Sequence, residues 1–138
     1  MRVSWITFAE AYRDPSGNLT SNLASLRYRV IAAARGLQNL HAGKIIAVTR
    51  PATEEQILTA EASDVVIFSK SFLPSNLELL RRVKAKGAAT VFDVCDNHYD
   101  HPDHSGHYRA MSAAADQVVC NTDQMALVAA PYCRQAPV

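Results

Sequence analysis

A doubly wound α/β fold, with a Rossmann-like parallel sheet of about five strands and helices on both faces, follows from three features of the 138-residue chain. Short β-branched and apolar runs alternate with segments of helical spacing, the pattern of successive βαβ units. The runs are apolar on both faces, as in strands covered from each side. No hairpin signal such as Asn-Gly separates two of them, so the crossovers are expected to be right-handed and the neighbours parallel.

Arg2 to Ala9 (RVSWITFA) reads as the first strand, in the interior of the sheet. Glu10 to Ser25 is polar and longer than the usual βα connection of about two to six residues, and is either a binding or lid element or a plain surface loop. Leu26, Val30, Ala33, Leu37 and Leu40 then recur at helical spacing, with Ser25 expected as N-cap and Gly43 as the stop. Lys44 to Thr49 is the second strand, and Thr53-Glu54-Glu55-Gln56 is a capping box opening a helix to about Ala62. Asp64 to Lys70 is the third strand. Ser75 is expected to cap the next helix with Glu78 reaching back, Leu77, Leu80 and Val83 facing the core, and Gly87 ending it. Ala89 to Val94 is the fourth strand, followed by a helix from about Gly106 to Ala115 with Tyr108, Met111 and Ala115 inward. Gln117 to Asn121 is the fifth strand, and Thr122 or Asn121 caps a last helix that ends at Ala130 because Pro131 cannot continue it.

Composition narrows the functional classes. One domain spanning residues 1–138 is expected, because the chain is too short for two good cores. A formal net charge of +1 gives no field to collect nucleic acid or an anionic membrane. Cys95, Cys120 and Cys133 are odd in number and form no C-x-x-C pair, which points to reduced thiols and a cytoplasmic protein. No apolar run approaches the ~20 residues of a membrane span, and the N-terminus lacks a signal peptide's apolar core.

Chemistry concentrates between Thr90 and His107, TVFDVCDNHYDHPDHSGH, where a buried-type strand turns abruptly polar. Four of the five histidines (His98, His101, His104, His107) lie there at intervals of three, among Asp93, Asp96, Asp100 and Asp103. Asp96 and His98 are the candidate catalytic pair, since a carboxylate and an imidazole at a strand's carboxyl end can act as a general base or hold sugar hydroxyls. Asp93 and Asn97 are candidate substrate-binding groups; alternatively, Asp93 and Asp96 accept backbone N–H bonds in the turn and Asn97 supports it. Arg27, in the first turn of the first helix, is the candidate for an anionic partner, a position where a cation opposes the helix dipole. Val91 and Phe92 should be buried. The histidine spacing matches no H-E-x-x-H pattern and Pro102 prevents one helix from presenting all four, so no metal ligand is assigned. The chain also lacks G-x-G-x-x-G, G-x-x-x-x-G-K-[ST] and G-x-S-x-G. Because ligands of open α/β sheets bind beyond the strands' carboxyl ends, the Glu10–Ser25 and Asp93–His107 segments should share a crevice if the first and fourth strands are neighbours.

Four segments in order carry a resemblance: Ser25-Leu26-Arg27-Tyr28-Arg29-Val30 after a long first loop, Asp64-Val65-Val66-Ile67-Phe68-Ser69-Lys70, the Gly87-to-Asn97 run GAATVFDVCDN, and Ala115-Asp116-Gln117-Val118-Val119-Cys120-Asn121-Thr122. From about Arg2 to Val128 the chain resembles the N-terminal domain of a GT-B glycosyltransferase of the family 4-like, group 1 type. The resemblance implies a half-cleft that mainly receives a sugar or lipid-linked acceptor, facing a second domain that holds most of a nucleotide-sugar donor, with no other cofactor. A catalytic-type histidine after a strand in some relatives could correspond to His98. The glycine-rich turn that many relatives carry after the first strand is missing, although Gly17 lies in the loop. The second domain is also missing, so the chain is expected to be a truncated piece, inactive in transfer and prone to self-association through surface left open. The alternatives are a stand-alone flavodoxin-like interaction domain, or a metal-binding or hydrolytic α/β domain using Asp96, His98, His101 and His104.

Overall fold

The computed structural model describes residues 1–37, 42–48 and 51–138; Leu40 and Thr49, expected in the first helix and second strand, lie outside these. Within them the chain forms β1 (Arg2–Thr7), a small pair β2 (Tyr12–Arg13) and β3 (Leu19–Thr20), and a π-helical segment Leu26–Ile31 that runs into α1 (Ala32–Leu37). There follow β4 (Ala42–Ala47), α2 (Glu54–Glu61), β5 (Val65–Ser69), α3 (Ser75–Ala85), β6 (Ala89–Val94) and α4 (Ser105–Ala114). The last elements are β7 (Gln117–Cys120), α5 (Asp123–Ala129) and a 3-10 turn, Ala130–Tyr132, that carries Pro131. No described helix is long and apolar enough to cross a membrane.

The sheet is parallel throughout, in the order β4-β1-β5-β6-β7, which gives the α/β doubly wound architecture. Strand order reverses at β1, which has β4 on one side and β5 on the other. The first and fourth strands of the sheet, β1 and β6, are therefore not neighbours; β5 separates them, although both release their loops at the same carboxyl edge.

The two faces are covered unequally. On one face Ile6, Phe68, Phe92, Val94 and Val118 pack with Leu80, Val83, Tyr108 and Met111 into the main core. On the other, Val3 and Trp5 pack with Leu26, Val30 and Ile31. The single helical segment on that second face leaves Val91 and Val119, on β6 and β7, half-buried, so Val91 is not the fully buried residue expected beside Phe92.

Several local expectations are corrected. The Glu10–Ser25 segment contains an antiparallel hairpin, Tyr12 pairing with Thr20 and Arg13 with Leu19. Its turn is built by Asp14, whose carboxylate accepts the N–H groups of Ser16 and Asn18, each at 2.9 Å, while Gly17 takes φ +82, which only glycine adopts freely. Ser25 makes no capping bond: it already has helical φ −59 and ψ −38, and its hydroxyl is buried without a partner among the described residues. Gly43 does not stop a helix but pairs with Val3 inside β4. At α3 neither Ser75 nor Glu78 caps, because Pro74 itself has helical dihedrals and starts the first turn, its fixed φ suiting that position. The buried stripe of α3 is then Asn76, Leu79, Leu80 and Val83, with Leu77 half-buried. The capping box at Thr53 and Gln56 forms as expected, and Thr122 rather than Asn121 caps α5, its hydroxyl accepting the Met125 N–H at 3.1 Å.

Tyr99 follows β6 and is fully buried, its hydroxyl 2.7 Å from that of Ser112 on α4. Burial pushes the phenol up to about 12, so the group stays protonated. Tyr99→Phe should cost about 1–2 kcal/mol, because it strands the Ser112 hydroxyl in the core, and adding Ser112→Ala should recover most of that loss. Urea denaturation of the two variants checks this; equal stability of Tyr99→Phe and the unmodified chain would refute it.

Candidate functional site

The carboxyl edge of the sheet gathers the polar chemistry, but not at the reversal point. There Phe8, following β1, meets Phe72, following β5, edge-on with ring centroids 5.3 Å apart. The crevice bounded by Thr7, Phe8, Leu23, Leu26, Ser69 and Lys70 leaves no room for a water molecule. The larger cavities, about 580 and 510 Å³, lie between the β4 side of the sheet and α2, lined by residues such as Lys44, Glu55 and Thr59. They share no residue with the histidine–aspartate stretch, so volume and chemistry point to different places. Lys44 and Glu55 are ordinary exposed charges, whereas the β5–β6 edge holds buried and strained polar groups. That edge is the better candidate.

Its base is Asp93, near the end of β6 and only 7% exposed. Arg29 reaches across from the first helical segment and grips it as a fork: Nε donates to both carboxylate oxygens, at 3.0 and 3.1 Å, and Nη2 donates to Oδ1. Ser69 at the end of β5 donates its hydroxyl to Oδ2 at 2.8 Å. Bonding to Asp93 raises the guanidinium pKa further, against the effect of burial. Arg29 lies in the π-helical stretch Leu26–Ile31, and such stretches concentrate at functional sites.

One residue beyond Ser69, Lys70 has φ 48, the only positive φ at a non-glycine among the described residues. Its ammonium sits 2.7 Å from Asp96, whose side chain is about half exposed. Backbone strain of this kind is tolerated where surrounding structure fixes it, and it clusters at ligand sites. Asn97 turns its side-chain oxygen to the Tyr99 N–H at 3.1 Å and supports the bend. Asn121, at the end of β7, donates to the Cys95 carbonyl at 3.0 Å and ties the bend to the next strand.

His98 stands over this bend, with its ring edge-on to Phe72 at 5.1 Å and to Tyr108 at 4.9 Å. Burial lowers its pKa, with Asp96 acting in the opposite sense and His104, His101 and Lys70 adding to the lowering. His98 is thus a neutral imidazole at pH 7, able to take a proton. Its Nδ1 is buried without a partner among the described residues, so exchange with a ligand would go through Nε2. An NMR titration should place His98 below the ordinary value of about 6.5; titration at or above that value would remove the neutral-base argument. Cys95 is no nucleophile: burial, and then Asp93, push its thiol up. No three His, Cys, Asp or Glu groups among the described residues are arranged to hold a metal ion.

Of the residues singled out from the sequence, Asp93, Asp96, Asn97 and His98 lie together at this edge. Arg27 does not join them: its Nη1 donates to the Ser21 carbonyl at 2.6 Å and anchors the loop after β1. The cation on Asp93 is Arg29 instead. Sequence reasoning also passed over Ser69, Lys70 and Phe72. For Arg29 a signal existed, since it is three residues after Leu26 and next to Val30, both buried against the sheet. For Lys70 none did, because its role depends on a backbone angle. No family model, curated protein or solved structure matches the chain.

Proposed function

We propose that the Asp96–His98 edge receives the acceptor in a glycosyl transfer, and that the chain is the acceptor-side half of a split-cleft, GT-B-type enzyme that uses a nucleotide-sugar donor. The reading is carried by one observation: a neutral imidazole, a half-exposed carboxylate and an amide occur in three successive positions beyond a strand's carboxyl end. Sugar hydroxyls are held by hydrogen-bond acceptors and donors, and deprotonation of an attacking hydroxyl needs a base that is unprotonated at working pH. His98 would take the hydroxyl's proton, Asp96 would orient the ring or bind a neighbouring hydroxyl, and Asn97 would read another. Asp93, clamped by Arg29 and Ser69, would hold the bend in place rather than touch substrate. Nothing at the β1–β5 junction cradles a phosphate, so donor binding would fall to a second domain, and this chain alone would not turn over, because it supplies only one side of the required positioning.

The closed junction favours a second reading, a flavodoxin-like interaction domain without chemistry, since Phe8 and Phe72 fill the place where such sheets hold a ligand. Amide NMR spectra of the chain titrated with mono- and disaccharides, UDP- and GDP-sugars and free nucleotides separate the two. Under the acceptor reading, at least one saccharide shifts the amides of Asp96, Asn97 and His98, and nucleotides shift them less. Absence of any saccharide-dependent shift at these positions up to tens of millimolar would favour the interaction domain. Transfer of labelled sugar by this chain alone, from any donor of the panel, would overturn the split-cleft reading.

A further inference from the structure

We propose that His98 to Ser105 forms a proton-operated clasp, held closed over Phe72 and Tyr108 by a cluster of three imidazole rings and released on proton uptake. The rings of His98, His101 and His104 are mutual neighbours: His101 and His104 stack at 4.6 Å with a 23° interplanar angle, and His98 lies 5.5 Å from His104 and 5.8 Å from His101. The Asp103 N–H donates to Nδ1 of His101 at 3.2 Å, a bond that exists only while that nitrogen is bare. His101 is also the hinge of the backbone here, its carbonyl accepting the N–H groups of His104 at 3.2 Å and Ser105 at 2.9 Å. A proton on Nδ1 turns an acceptor into a donor facing a donor. A protonated His98 would carry its charge in a partly buried ring packed against Phe72 and Tyr108.

The surrounding charges do not offset this. Asp96 is next to His98 but is paired with Lys70, itself a cation facing the cluster. Asp100 lies 3.6 Å from Arg109 of α4. Also on α4, His107 sits beyond His104, with Nε2 bonded to the Ser71 carbonyl at 3.1 Å, and Tyr108 presents only its ring. Among the described residues Asp103 is the one carboxylate left to offset a charge on His101, and its exposure to solvent screens it. Burial lowers the His98 pKa, so between its open-segment value of about 6.5 and its closed value the open form binds more protons, and closure weakens as pH falls through that window. None of this rests on the acceptor reading of the same edge.

Amide hydrogen exchange on the whole chain in EDTA-containing buffer, at pH 7.5, 6.5 and 5.5 and corrected for intrinsic rates, reads the clasp directly. Protection at Asp103, Ser105 and Tyr108 should fall by up to roughly tenfold per pH unit for one linked proton, while amides of β5 and β6 hold. His101→Asn puts an untitratable carbonyl oxygen at the place of Nδ1 and should flatten that fall. His104→Gln, which leaves the Asp103 bond intact but removes one stacked ring and one of the groups that lower the His98 pKa, should make that fall smaller. Unchanged protection of these amides from pH 7.5 to 5.5 in the unmodified chain would overturn the proposal. So would a fall as steep in both variants as in the unmodified protein.

Discussion

Asp93→Ala is expected to destabilise the chain by about 3 kcal/mol, because it strands a guanidinium at a partly buried position and removes the acceptor of the Ser69 hydroxyl. Breaking one side of a buried ion pair costs about 3–5 kcal/mol, and the low end applies because Arg29 retains 23% side-chain exposure and some hydration. Asp93→Asn should cost less, since its oxygen still accepts from Arg29. The double variant Asp93→Ala with Arg29→Met should recover much of the loss by removing the uncompensated cation. Thermal unfolding would show the first effect as a fall of roughly 10 °C. Equal midpoints for Asp93→Ala and Asp93→Asn would mean that the accepting oxygen adds nothing once the charge is gone, and an additive double variant would mean that the two side chains do not communicate.

A second large effect is expected at Tyr108. The residue is fully buried, and its ring contacts those of Phe92, Tyr99, Phe72 and His98 at 4.9–5.9 Å between centroids. It is the floor on which the histidine segment rests and part of the main core beneath β6. Truncating such an aromatic to alanine costs about 3–5 kcal/mol, most of it transfer and cavity terms. Tyr108→Leu keeps much of the apolar volume and should cost less than half as much. The alanine variant should also move the His98 titration back toward its ordinary value, because the burial that lowers it is partly undone. Chemical denaturation together with a histidine NMR titration covers both; a loss below about 1 kcal/mol would show that the core collapses around the gap.

The sequence carried the fold because the fold is written in periodicity. Five apolar runs, spaced by helical stripes, leave little but a parallel sheet, and strand positions followed to within a few residues, although Ala33 of the first stripe is exposed and Ile31 is buried in its place. The helix ends were harder to read. Ser25 and Ser75 are N-cap residue types, yet a π-helical start and a helical Pro74 took those places, and these outcomes depend on backbone angles that residue type only biases. The hairpin at Tyr12–Thr20 has strands of two residues, too short for an alternating pattern to register. At the site, the change from Val94 to Asp96 located the sheet edge where these polar groups gather. The partners of those groups were out of reach, since Arg29 and Asp93 are separated by 64 residues and meet only through sheet order. Asn76 illustrates the same limit: a buried amide that donates to the Ser71 hydroxyl at 2.8 Å looks, in sequence, like a solvent-facing polar residue.

The sheet order has a mechanical consequence. β1 is bonded on both sides, from Arg2 to Thr7 against β4 and from Val3 to Thr7 against β5, so tension applied through the first residues must shear two ladders together. β7 hangs on β6 by a single four-position ladder, Val91↔Gln117 to Val94↔Cys120, reinforced on its outer side by the two backbone bonds of Val138. Force entering through the residues after β7 would therefore peel those bonds, α5 and then β7 one after another, each at low load. The molecule is stiff toward a pull from its beginning and compliant toward a pull from its other side. A translocating protease or unfoldase would process it at different speeds according to the direction from which it threads the chain.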